Sequence, residues 1–74
     1  MQINKKVLLL AIAKKQEDES LLEVVAMLES ARVFTRKEGK RLLKELKSEE
    51  YISESALTPK GLAYAKMIEE EFKL

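Results

Sequence analysis

Histidine and cysteine are both missing from this chain, and aspartate occurs once, as Asp18. Without cysteine there is no disulfide and no thiolate metal site. Without either residue the usual zinc sites, a Ser-His-Asp constellation and a thiol nucleophile are unavailable. Catalysis would have to rest on Glu, Lys and Tyr, and nothing in their spacing perturbs them. The chain is therefore not expected to be an enzyme, and no metal, cofactor or small-molecule ligand is expected. Long apolar runs are missing too. Val7 to Ala13 is seven residues, far below the roughly 20 that span a bilayer. Lys5 and Lys6 before that run resemble the start of a leader peptide, but KKQEDES follows in place of a small-residue cleavage site. The expected location is cytoplasmic, with no membrane partner. Internal repeats and low-complexity segments are absent.

What is present suits one small domain spanning residues 1–74. The apolar fraction is 46%, ordinary for a globular chain and too high for disorder. A core of this size needs good helix packing or a partner chain. Net charge is only +1, but it is unevenly placed. Residues 1–15 carry +4, residues 16–31 carry −5, residues 32–48 carry +5, residues 49–58 carry −3, and the remainder balances. The local field, not the net charge, steers a polyanion.

Four helices are expected. The first runs from Asn4, as N-cap, to about Lys15. Its apolar positions (Ile3, Val7 to Ala13) cover nearly the whole circumference. That fits either a central core helix or one that also meets a second copy. Ser20 and Glu23 form a capping box. They open a second helix that ends near Glu29 or Ser30, with Leu21, Val24, Val25 and Leu28 inward and an acidic outer face. Ser30 to Phe34 is a turn that tucks Val33 and Phe34 into the core. Thr35 and Glu38 form a second capping box for a third helix, Thr35 to Ser48. Tyr51–Ser53 and Ala56–Thr58 read as a short hairpin. Thr58 as N-cap and Pro59 at N1 open the fourth helix. It ends near Phe72, with Leu62, Ala65, Ile68 and Phe72 inward and Tyr64 and Met67 at the edges.

The third helix has two opposed faces. At 100° per residue, Gly39, Leu42, Leu43 and Leu46 share one side. Lys37, Lys40, Arg41 and Lys44 share the other, with Arg36 and Lys47 at its edge. Glu38 and Glu45 lie on a flank, spaced to support Arg41 as ordinary intrahelical pairs. An apolar stripe docks a helix on a core. A basic stripe suits a phosphate backbone.

This order, three helices, a hairpin and a closing helix, resembles a winged helix-turn-helix domain. The segment Leu57-Thr58-Pro59-Lys60-Gly61 is similar to the wing ending of bacterial and archaeal winged-helix regulators. The resemblance runs from about Lys5 to Phe72. It implies a mainly α fold with a small β-hairpin, a partner in double-stranded DNA, and a role in transcription regulation. The Thr35–Ser48 helix would be the recognition helix in the major groove. The DNA-binding residues would then be Thr35, Arg36, Lys37, Lys40, Arg41, Lys44 and Lys47. Arg41 is the best candidate for a bidentate base contact. Lys44 and Lys47 lie farther along, toward phosphates. Asn and Gln, the usual adenine readers, are absent from this helix. The wing departs from the pattern. It is short, and Glu49, Glu50 and Glu54 make it acidic, leaving only Ser53 and Ser55 to offer a phosphate hydrogen bond. The alternative is a protein-interaction module, or a homodimer through helices 1 and 4.

Overall fold

A computed structural model describes residues 2–54 and 56–73. The element order is α1 (Ile3–Lys14), α2 (Leu21–Ser30), α3 (Arg36–Ser48), β1 (Ile52–Ser53), β2 (Ala56–Leu57) and α4 (Pro59–Phe72). The protein is thus mainly helical, with one small antiparallel hairpin in which Ile52 pairs with Leu57 and Ser53 with Ala56.

The apolar circumference of α1 is explained by its place. It packs against α2, α3, α4 and β2. Leu8 and Leu9 are wholly enclosed, and Val7, Leu10 and Ala11 are half-buried. Around them close Val24 and Val25 from α2, Leu42 and Leu46 from α3, Ile52 from β1 and Ile68 from α4. The start of α1 departs from expectation. Asn4 lies inside the first turn, and Gln2 is the N-cap, without a side-chain bond. The N–H groups of Lys5 and Lys6 both donate to the Gln2 carbonyl at 3.1 Å. A cap is worth about 1 kcal/mol. The buried Leu8, Leu9 and Ile12 outweigh it, because packing more than local preference fixes where a short helix begins.

The other helix starts follow their caps. The Ser20 hydroxyl accepts from the Glu23 N–H at 3.1 Å, and the Glu23 carboxylate accepts from the Ser20 N–H at 3.3 Å. At Thr35 only half of the expected box forms. Its hydroxyl accepts from the Glu38 N–H at 3.2 Å, but the Glu38 carboxylate turns to Arg41 instead. Thr58 caps α4 by accepting from the Gly61 N–H at 3.0 Å.

α2 and α3 end alike. The Val33 N–H reaches the Leu28 carbonyl and the Arg32 N–H that of Glu29; the Tyr51 N–H reaches Leu46 and the Glu50 N–H reaches Lys47. Each is a Schellman motif, which places one residue in the left-handed region. Those residues are Arg32 (φ 63°) and Glu50 (φ 64°), where glycine would carry no Cβ penalty. Glu50→Gly is therefore expected to stabilise the fold by about 0.5–1 kcal/mol. It should raise the thermal midpoint by roughly 2–8 °C, as read by circular dichroism. The same motif explains why β1 is shorter than expected. The Tyr51 N–H is committed to Leu46 and cannot join a ladder.

α4 is rotated from its expected setting. Gly61, Ala65 and Ile68 face inward, while Leu62 is 48% and Phe72 40% exposed. Gly61 is the reason. A Cβ at this position would sit 1.8 Å from the Tyr51 carbonyl oxygen. The α4 backbone thus rests directly on Tyr51, and that contact sets which residues follow it inward.

Candidate nucleic-acid interface

The Ser20 box fixes α2, a short turn follows Ser30, and Thr35 starts α3. Gly39 then lets α3 lie close on α2. A Cβ there would meet Val25 Cγ1 at 2.6 Å and Phe34 Cε1 at 2.8 Å. The expected inner face is the observed one, because Gly39, Leu42, Leu43 and Leu46 are all buried. The opposite side is exposed, and Thr35, Lys37, Glu38, Lys40, Arg41 and Lys44 line an open depression along it.

The six basic side chains of that face fall into two groups. Arg36 is tied across the turn to Glu29 of α2. Its Nε donates to Oε1 and its backbone N–H to Oε2, both at 3.2 Å. Arg41 lies between two carboxylates of its own helix, with one nitrogen on Glu45 and the other 3.4 Å from Glu38. Lys37, Lys40, Lys44 and Lys47 are exposed, and among the described residues none has a carboxylate within 4.0 Å. Thr35 is exposed, with its hydroxyl occupied as the cap.

A further charge comes from α1 and was missed in sequence. Lys5 is buried, at 8% exposure. Its ammonium donates to Glu45 at 3.1 Å and also pairs with Glu49. Glu45 is thus held by Lys5 from behind and by Arg41 from the front. Burial works against the charged form of Lys5, but hydrogen bonds to Glu49 and Glu45 outweigh it, so its pKa lies above the ordinary lysine value. The hydrogen bond from Lys5, with the charges of Lys5 and Arg41, holds the Glu45 carboxyl below the usual carboxylate range. The only signal in the sequence was a lysine on the same face as Leu8, Leu9 and Ile12, which needs a counter-charge if it is buried.

The signs of these shifts give a pH dependence. Glu45 titrates lower in the folded state, so its stabilisation is present above the ordinary carboxylate pKa and is lost as pH falls through the depressed value. Lys5 titrates higher, so its stabilisation is present below the ordinary lysine pKa and is lost as pH rises through the raised value. Between about pH 5 and 10 the cluster is complete. Lys5→Met should therefore lose less stability than the parent between about pH 7 and 3, measured as the shift of the urea midpoint.

Comparison with protein-family models, with curated proteins and with solved structures gives no match.

The hairpin adds no cation to this face. Ser53 and Glu54 are exposed, Glu49 is bound to Lys5, and Ser55 lies outside the described residues. No described helix is long and apolar enough to cross a membrane. Of the apolar run expected as an interaction surface, Leu9 and Ile12 are buried and Leu10 and Ala11 half-buried. The exposed apolar side chains lie elsewhere, at Ile3 on α1, Leu22 and Met27 on α2, and Leu62, Met67 and Phe72 on α4.

Proposed function

We propose that the protein binds double-stranded DNA through the outer face of α3, as a winged helix-turn-helix domain of the regulator type. The observation that carries this reading is the row of Lys37, Lys40, Lys44 and Lys47, exposed on a helix whose other side is locked into the core. The row spans about 15 Å of helix. A duplex presents about nine phosphate charges over that length, ample partners for four ammonium groups. The short, acidic hairpin plays no part in the contact.

The test is a titration of isotope-labelled protein with a random duplex, following amide shifts at two salt concentrations. Shifts that cluster on residues 35–47 and shrink with salt support the reading. Replacing Lys40 and Lys44 together by Glu should remove most of the binding while the helical spectrum persists. Absence of any shift at low salt overturns it. The second reading, a protein-interaction module or a homodimer through α1 and α4, is favoured by the exposed Ile3, Leu62, Met67 and Phe72. It predicts association that is insensitive to changes on α3.

A further inference from the structure

We propose that α3 meets DNA through the phosphate backbone alone and leaves the bases unread, so that duplexes of unrelated sequence are bound alike. This rests on the reading of α3 as the DNA-binding face and specifies what that face recognises.

Base readout in the major groove needs particular side chains. Guanine O6 and N7 are bonded together by a planar fork, which arginine has, and adenine N6 and N7 are read by Asn or Gln. α3 contains no Asn and no Gln. Its two arginines are already engaged by the protein. Arg36 holds both oxygens of Glu29, one through Nε and one through its own backbone N–H. That backbone bond also fixes the carboxylate in front of the guanidinium. Arg41 is spread between Glu38 and Glu45, one terminal nitrogen on each. If either fork turned to a base, it would surrender these bonds. It would also leave Glu29 or Glu38 unneutralised against a polyanion, because neither has a second cation among the described residues. Glu45 alone has one, in Lys5.

What remains outward is Lys37, Lys40, Lys44 and Lys47. An ammonium group is a compact point charge on a flexible stem. It neutralises a phosphate without fixing which base lies behind it, and it gains mainly from released counterions. The hairpin brings no second reader, since Glu54 stands at its tip and Glu50 at its base. Occupancy of DNA then follows protein concentration and salt, not sequence.

The experiment is selection from a pool of duplexes with about 20 randomised base pairs, paired with direct titration of the same pool at low salt. The expected result is measurable binding with no enriched motif in the bound fraction, and an Arg41→Lys variant that binds the pool within about twofold of the parent. An enriched motif overturns the proposal while leaving α3 as a DNA-binding face. If Arg41→Lys erases that motif, Arg41 leaves its carboxylates to read a base. No binding to the pool at low salt overturns both the proposal and the reading beneath it.

Discussion

Gly61→Ala is expected to cost about 3 kcal/mol or more, the largest effect of any single methyl group added to this protein. The added carbon would lie 1.8 Å from the Tyr51 carbonyl oxygen, and backbone cannot turn aside as a side chain can. That oxygen is held from the other side by the Thr58 N–H at 3.1 Å. The Tyr51 ring is held as well, tilted against Tyr64 with centroids 5.1 Å apart and with the Lys60 ammonium 4.6 Å above it. Relief requires lifting the start of α4, which strips Thr58 of its bonds. A domain of this length has on the order of 4–11 kcal/mol of total stability. The variant should therefore melt roughly 12–24 °C lower, measured by circular dichroism. Gly39→Ala is the control. Its methyl would press on the buried side chains of Val25 and Phe34, which must shift, and alanine offsets part of that cost with about 1 kcal/mol of helix propensity over glycine. If Gly39→Ala proved the more damaging of the two, α4 would not be seated on Tyr51 as described.

Charge reversal on α3 should have the largest effect on binding. With four unpaired lysines in the contact, the slope of log affinity against log salt is expected near −3.6. Affinity for a duplex then falls on the order of 100-fold between 50 and 200 mM salt. Lys40→Glu with Lys44→Glu removes two of those four charges and adds two of the opposite sign. It should at least halve the slope and lower affinity by at least about 100-fold at low salt. Arg41→Glu alone should behave differently. Arg41 is already neutralised by Glu38 and Glu45, so its reversal puts three carboxylates together and acts on helix stability before it acts on binding. Anisotropy titrations and thermal melts on the same samples separate the two effects.

The contrast between these variants follows from which features are local in the chain. The two faces of α3 are legible because Leu42, Leu43 and Leu46 repeat with the helical period and the lysines fall between them. The Arg41 pairs are legible for the same reason, since their partners lie three and four residues away. The starts of α2 and α4 are legible from Ser20, Thr58 and Pro59, whose preferences act within one turn. Distance in sequence hides the rest. Lys5 finds Glu45 across 40 positions. Arg36 finds Glu29 across a turn. The rotation of α4 depends on Gly61 meeting the Tyr51 backbone oxygen, so Ala65 and Ile68 of the expected stripe are buried while Leu62 and Phe72 turn outward.

Thr58 carries one more consequence. Its hydroxyl donates to the Glu50 carbonyl at 2.6 Å and accepts from Gly61, while its N–H donates to Tyr51. The end of α3 and the start of α4 are therefore fastened to each other at the root of the hairpin, independently of its tip. A loop whose ends are already closed lengthens cheaply, at about 0.6 kcal/mol for each doubling. Insertions between Ser53 and Ala56 would leave the helical core untouched. The tip is thus the place where this architecture can acquire a longer, differently charged arm by descent or by engineering.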